Sequence, residues 1–211
     1  MIKHTIKIEK TAYYYSIGEL NKESNEIWIV CHGYGQLAKY FIKKFECVEK
    51  QNRFIIAPEG LHKFYINGYS GRVGANWMTK EQRLDDIDDY CLYLEKLTDL
   101  IRPQAHPKCK IKIIGFSQGT ATVSRWILKT NHKIDTLILW GGKIAFDFNF
   151  SLYKEKHSET KNYVVFGTED KFHSEEDIQS YQKELSDFTT EWISYNGGHT
   201  IDTKTLKLFE N

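Results

Sequence analysis

Short, nearly uninterrupted apolar runs recur along the chain, and they limit its possible folds more than any other feature. The most apolar of them read IWIV, FIIA, IKII, LILW and YVVF. Runs of this length without polar alternation are typical of strands covered on both faces, as in a parallel sheet. The pattern predicts strands at 5–10, 12–17, 26–31, 53–57, 110–115, 136–140, 162–166 and 191–195.

Helical periodicity separates the later runs. Apolar residues at spacings of three and four predict a long helix over 80–101, and further helices are expected at 120–129 and 175–185. Alternating strands and helices favour an α/β fold with a mostly parallel central sheet and helices on both faces. The first two strands lie too close together for a crossover helix, so we expect an antiparallel N-terminal start. A chain of 211 residues is expected to form a single domain over 1–211.

The composition of the chain limits the classes of partner that it is expected to bind. Lys and Arg number 29 and Asp and Glu 28, and the absence of a basic stripe argues against nucleic acid. Because no apolar stretch approaches the length of a membrane span, we expect no stable membrane insertion. The four cysteines show no metal-ligand spacing. They are expected to be buried and reduced, which favours a cytoplasmic protein.

Two stretches resemble neither a strand nor a helix. Residues 60–77 carry four glycines and four aromatic residues, and 142–159 is rich in phenylalanine. Each follows a predicted strand, and ligands of open parallel sheets bind at the carboxyl ends of the strands. We therefore expect both loops near a functional edge, where their aromatic side chains favour an apolar acyl or aryl group.

A serine lies at the tightest predicted turn. The sequence GFSQG places Ser117 between a strand and a helix, with Gly115 and Gly119 two residues to either side. This is the pattern of a nucleophile elbow, in which a strained turn exposes the hydroxyl and the glycines avoid clashes. A purely structural Gly-Ser-Gly turn is the alternative.

An activated serine needs a base and an acid, which follow it in chain order in such folds. His199 in NGGHT and Asp170 in GTED each follow a late predicted strand. We expect His199 to accept the serine proton and Asp170 to orient its ring. Rival acids, of which Glu169 is the strongest, and rival histidines remain open. They are Glu169, Asp147 and Asp202, and His4, His62, His106, His132, His157 and His173.

The same chemistry needs donors for a developing oxyanion. The loop CHGYG, residues 31–35, follows an early strand, and its glycines permit a close backbone approach. The backbone amides of Tyr34 and Gln118 are the candidate donors. We expect His32 to shape this loop through bonds to the backbone.

The motifs HGYGQ, APEG, GFSQG, FGTED and NGGHT occur in this order. Together they resemble the phospholipase/carboxylesterase family of α/β hydrolases, which contains acyl-protein thioesterases. The resemblance implies an α/β-hydrolase fold, no metal or organic cofactor, and hydrolysis of carboxylic esters or thioesters. It assigns Ser117, Asp170 and His199 as a catalytic triad and Tyr34 and Gln118 as oxyanion donors. It also suggests that Trp77 and Tyr34 contact substrate. Thr120 departs from the family pattern, where a second glycine is common.

The leading interpretation is thus a serine hydrolase that cleaves a small-molecule ester or thioester through an acyl-enzyme. A serine peptidase or amidase on the same scaffold is the first alternative, because it shares the triad chemistry. A non-catalytic binding protein is the second. Neither the natural substrate nor the oligomeric state follows from the sequence.

Overall fold

The computed structural model describes residues 1–210 and contains one central seven-stranded sheet. Its strand order is β1-β3-β2-β6-β7-β8-β9, and every neighbouring pair is parallel except β1 and β3. These strands are β1 (Tyr14–Ile17), β2 (Glu26–Cys31), β3 (Arg53–Pro58), β6 (Lys110–Phe116), β7 (Thr136–Trp140), β8 (Lys161–Gly167) and β9 (Glu191–Tyr195). The predicted α/β fold with a mostly parallel sheet and an antiparallel start is confirmed.

Helices cover both faces of the sheet. They are α1 (Ala38–Phe41), α2 (Arg83–Ile101), α3 (Gln118–Lys129), α4 (Phe150–His157), α5 (Glu175–Glu184) and α6 (Thr203–Leu206), with 3-10 helices at Ile42–Val48, Arg102–Gln104 and Lys207–Glu210. Within residues 1–210, none of these helices has the length and apolar content needed to cross a bilayer.

Two apolar clusters, one on each face, explain why the strands are apolar throughout. Ile27 and Ile29 of β2 face the cluster beneath α2 and α3. Trp28 and Val30, between and after them, face the cluster beneath α1 and α6. Successive side chains of a strand point to opposite faces, so a strand covered on both sides is apolar at consecutive positions, as residues 27–31 of β2 are.

The N-terminal segment differs from the prediction, because residues 5–10 form no strand. Their isoleucines are exposed, with Ile6 at 86%. Lys3 and Lys7 instead reach the acidic face of α2, where they meet Asp85 and Asp89. The alternation of apolar and polar residues is present in the sequence, but the lysines contact α2 and the isoleucines stay exposed, so no strand forms. A single strand, β1, provides the antiparallel start.

The glycine-rich stretch 60–77 is not an irregular loop. It folds into an antiparallel hairpin of β4 (His62–Tyr65) and β5 (Val73–Asn76). Gly74 within β5 marks the place where the hairpin meets the backbone of residues 31–35, since a Cβ there would lie 2.6 Å from the Gly35 carbonyl oxygen. Glycine in a strand often marks such an approach of two backbones.

The stretch 142–159 is also partly regular. It contains α4, whose N-terminus is capped by the Asn149 side chain accepting from the Leu152 N–H. Phe148 and Phe150 pack in one aromatic group with Tyr153 and Phe188. Most of these phenylalanines therefore hold the segment to the core.

The cysteines are free, but one expectation about them is wrong. Cys31, Cys91 and Cys109 are buried, whereas Cys47 is exposed. It lies on the outer side of the 3-10 helix at Ile42–Val48, which buries Ile42, Phe45 and Val48 instead.

The junction of β6 and α3 generates a first prediction, about Gly119. A Cβ at this position would lie 2.3 Å from the Cys31 carbonyl oxygen, and rigid backbone on both sides leaves no room to adjust. We expect Gly119→Ala to lower the free energy of unfolding by about 3 kcal/mol, a cost typical of overpacking. Urea unfolding measures this change.

Gly198→Ala is the matched control, because its Cβ would meet nothing closer than the Glu169 carbonyl oxygen at 3.6 Å. Equal stability of Gly119→Ala and the wild type would contradict the tight packing of the junction.

Candidate active site

Ser117 occupies a strained turn between β6 and α3. Its backbone lies at φ 54° and ψ −118°, a conformation that non-glycine residues rarely adopt and that costs on the order of 1–3 kcal/mol. Gly115 and Gly119 are both required, since a Cβ at Gly115 would lie 2.4 Å from the Gly119 carbonyl oxygen. The predicted elbow geometry is thus present at Ser117.

His199 and Asp170 are brought together from the loops after β9 and β8. The Nδ1 atom of His199 lies 2.7 Å from Oδ2 of Asp170, whose side chain is fully buried. The other carboxylate oxygen accepts the backbone N–H of Phe172 at 2.9 Å. Both oxygens of this buried acid are therefore satisfied, and one of them orients the imidazole.

The imidazole of His199 lies beside the elbow. Its ring centroid is 4.8 Å from that of Phe116, the residue before Ser117. It also covers Gly141, where a Cβ would lie 3.3 Å from the ring. Within residues 1–210 the ring and the Ser117 hydroxyl share no hydrogen bond. Such contacts are often long in free enzymes and tighten when substrate binds.

Two core aromatic residues hold the loop that carries His199. The Tyr195 hydroxyl lies 2.8 Å from the Gly198 carbonyl oxygen and 2.6 Å from that of Thr200. The indole N–H of Trp140 donates to the same Thr200 oxygen at 2.9 Å. The carbonyls on both sides of His199 are therefore anchored to the core.

Residues 31–35 pass directly beside Ser117. A Cβ at Gly33 would lie 3.0 Å from the Ser117 Cβ. The Gly33 N–H donates to the Gln36 side chain, and the Gly35 N–H to the Ala75 carbonyl. In the described part of the chain, the Tyr34 amide between them donates to no protein acceptor.

The amide of Gln118 is also without an acceptor within residues 1–210, as expected for the first residue of a helix. Its side chain is occupied elsewhere, because Nε2 donates to Asn76 Oδ1 at 2.7 Å and to the Met78 carbonyl at 3.1 Å. Gln118 thereby ties the elbow to the end of β5.

His32 shapes the loop, as predicted. Its Nε2 accepts the Gly60 N–H at 2.9 Å, so the ring proton resides on Nδ1, which lies 2.7 Å from the Gly33 carbonyl. Burial lowers the pKa of this imidazole from 6.5 to about 4. His32 is thus neutral at physiological pH and bridges two backbone segments.

The two residues suggested for substrate contact differ in exposure. Trp77 is completely buried and donates its indole N–H to the His32 carbonyl at 2.8 Å. It offers no surface to a substrate in this structure and supports the loop from behind. Tyr34 is exposed, with its ring 5.1 Å from that of Phe64 in the hairpin.

The rival acids have other partners or lie exposed. Asp147 binds Arg83 and Arg125, and Asp202 caps α6 through the Thr205 N–H. Glu169 is exposed to solvent, although it neighbours Asp170.

Among the rival histidines, one lies near the site. The ring centroid of His173 is 6.3 Å from that of His199, and its Nε2 lies 3.3 Å from the Gly141 carbonyl. The sequence offered His173 only as a rival base, because it was expected in the opening of a helix. It lies just before α5.

Thr120, which departs from the family pattern, binds the elbow to the next loop. Its buried hydroxyl lies 2.7 Å from both the Ser117 and the Lys143 carbonyl oxygens. A glycine could not make this link.

Within residues 1–210, one cluster of side chains has the spacing of a metal-binding site. Glu95, Asp99 and His132 place their ligand atoms within 4.8 Å of one another. They belong to α2 and the turn after α3, and His132 already pairs with Asp99 at 2.9 Å. They contribute no residue to the site described above.

The low pKa of His32 generates a prediction about pH. Between about pH 6.5 and 4 the unfolded chain binds a proton at this position that the folded chain does not. Stability therefore falls as the pH drops through this window, by about 3 kcal/mol from His32 alone. We expect His32→Gln to be less stable at neutral pH but to lose correspondingly less stability between pH 6.5 and 4 in urea unfolding.

The control is His4→Gln, which removes an exposed histidine and should leave the pH dependence unchanged. An identical pH dependence in His32→Gln and the wild type would contradict a neutral, buried His32.

Comparison with known proteins agrees with this architecture. Esterase PE8 covers 95% of this chain and 97% of its own at a TM-score of 0.71 and 17% identity. The acyl-protein thioesterase 2 of Zea mays gives 0.69 and 14% identity, with 95% and 100% covered. A phospholipase/carboxylesterase from Dyadobacter fermentans gives 0.68 and 19%, with 97% of each chain covered.

At these identities the structural matches show the fold alone. Among curated protein sequences, none matches this chain. The family model for phospholipase/carboxylesterase, however, matches residues 13–211. The chain therefore belongs to the phospholipase/carboxylesterase family of α/β hydrolases.

Proposed function

We propose that this protein is a serine esterase or thioesterase that forms an acyl-enzyme on Ser117. The observation that carries the proposal is the 2.7 Å contact between His199 and the buried carboxylate of Asp170, beside a serine held in a strained turn. Membership in a family of esterases and thioesterases supports the reaction class.

In the first step the Ser117 oxygen attacks the carbonyl carbon of the substrate. The hydroxyl proton passes to Nε2 of His199, which is the free ring nitrogen because Nδ1 faces Asp170. The buried carboxylate fixes the tautomer and stabilises the imidazolium that forms.

The carbonyl oxygen then carries a negative charge. The amides of Tyr34 and Gln118 are the available donors. Gly33 and Gly35, on either side of Tyr34, already donate within the protein, and so does Ser117, which precedes Gln118. Loss of one such donor typically raises the barrier by about 3 kcal/mol. This role explains why the hairpin and His32 hold the loop so firmly.

Collapse of the tetrahedral intermediate expels the alcohol or thiol, which takes the proton from His199. Water, activated by the same imidazole, then attacks the acyl-enzyme and releases the acid. The nucleophile, the base, the acid and the oxyanion donors in these steps are all groups of this chain.

The nucleophile assignment is tested by Ser117→Ala. We expect turnover of 4-nitrophenyl esters to fall by about four to six powers of ten, because the acyl-enzyme cannot form. A fluorophosphonate probe should label the wild type once, at Ser117, as read by intact mass and peptide mapping.

Ser151→Ala, an exposed serine of α4, is the control and should keep both labelling and turnover. A loss of only a few-fold in Ser117→Ala would remove the basis of the proposal. Aminoacyl anilides assayed in parallel separate an esterase from an amidase.

The acid assignment is tested by a pair of neighbouring variants. Asp170→Asn should lower kcat by about 10,000-fold, because an amide cannot hold the required tautomer. Glu169→Gln makes the same chemical change one residue away, at an exposed side chain, and should leave kcat near that of the wild type. The reverse order would assign the acid to Glu169.

A further inference from the structure

A cavity of about 390 Å³ opens between the start of α1 and the tip of the β4–β5 hairpin. This volume falls in the range of small-molecule sites. Leu37, Phe41 and Val73 contribute apolar walls. The motif HGYGQ and the stretch 60–77 both contribute to its wall, through Gly35 and Gln36 and through residues 71–73.

The cavity is positively charged. Lys39, Lys44 and Arg72 line it, and no acidic residue does. Within residues 1–210 none of the three forms an ion pair with a carboxylate. Lys39 lies over the Tyr40 ring, and Lys44 donates to the Thr200 hydroxyl at 3.0 Å. Three uncompensated cations around one concave surface attract an anion.

The cavity adjoins the proposed reaction centre on two sides. Its wall includes Gly35, which directly follows the oxyanion-donor candidate Tyr34. Lys44 contacts Thr200, which directly follows His199. The cavity and the proposed reaction centre are therefore connected through two short segments of the chain, residues 34–35 and 199–200.

We propose that this cavity binds an anionic oxygen group, a carboxylate or a phosphate, carried by the ester or thioester substrate. The proposal rests on the proposed function and narrows its substrate class. The guanidinium of Arg72 can bind either group through two parallel hydrogen bonds, and the lysines supply point charges.

Two matched substrate pairs test the proposal and locate the anion. For the acyl side, 4-nitrophenyl hydrogen adipate is compared with the neutral 4-nitrophenyl heptanoate. For the leaving-group side, butyryl-coenzyme A is compared with butyryl-N-acetylcysteamine. We expect kcat/KM for the anionic member of at least one pair to exceed that of its neutral partner by about tenfold, and added salt should reduce the ratio.

The variants Lys39→Met and Arg72→Met remove the two exposed cations that touch no group of the reaction centre. Each should lower the ratio about fivefold, the size expected for one exposed charge pair, while neutral-ester turnover stays at the wild-type value. Lys43→Met removes an exposed lysine outside the cavity and should change nothing. A ratio near one in both pairs, or equal ratios in wild type and variants, would overturn the proposal.

The outcomes separate this proposal from the function itself. If neutral and anionic esters were cleaved equally well, only the proposal of an anion-binding cavity would fail, and the hydrolase proposal would stand. If no ester were cleaved and the fluorophosphonate left Ser117 unlabelled, the hydrolase proposal would fail. In that case calorimetric titration of Ser117→Ala with coenzyme A and with pantetheine still tests the cavity, since only the former carries phosphates. Equal affinities for the two would count against it.

Discussion

The strained backbone of Ser117 can persist only because the surrounding packing leaves the chain no alternative. Gly115 and Gly119 let β6 and α3 meet without side chains between them, and Gly119 in turn contacts the end of β2. The Ser117 N–H donates to the Trp140 carbonyl, which fixes the turn to β7 as well. Three neighbouring strands therefore hold one residue in a sparsely populated conformation, and their core contacts offset its cost.

Neighbouring strands also fix the positions of the two loops that carry Asp170 and His199. β8 and β9 are adjacent parallel strands, so their carboxyl ends lie side by side and bring Asp170 and His199 within hydrogen-bonding distance. The anchors are core residues: Tyr195 is the last residue of β9, and Trp140 is the last residue of β7. An imidazole fixed by strand ends in this way loses little freedom when a substrate arrives, which is the preorganisation that catalysis needs.

Local patterns predicted all seven strands of the central sheet, but they also predicted a strand at 5–10 that does not form. Strands β2 and β7 have the predicted bounds because their burial dictates their composition. The edge strand β9 also has the predicted bounds, although only Tyr195 in it is buried. The hairpin at 60–77 escaped prediction, because each strand has only four residues. The surrounding stretch contains four glycines, and contact with a distant loop stabilises the hairpin. The support given by Trp77 and His173 was equally hidden, since each acts through a contact between segments remote in sequence. Sequence patterns report burial and turn chemistry, whereas these contacts depend on the assembled sheet.

The packing of the aromatic side chains affects which substrates the protein can accept. Their abundance in the two long segments favoured an apolar acyl or aryl group, yet Phe148 is buried in the core and Phe150 packs its ring against Phe148 and Phe188. Phe146 is exposed, but its ring stacks against the Arg83 guanidinium. Trp77 is buried behind the loop that it supports. With these rings engaged, the cavity between α1 and the hairpin presents cations and a few apolar walls to the substrate of the proposed hydrolase. A substrate that joins a short apolar linker to an anionic end matches that surface better than a long uncharged chain does.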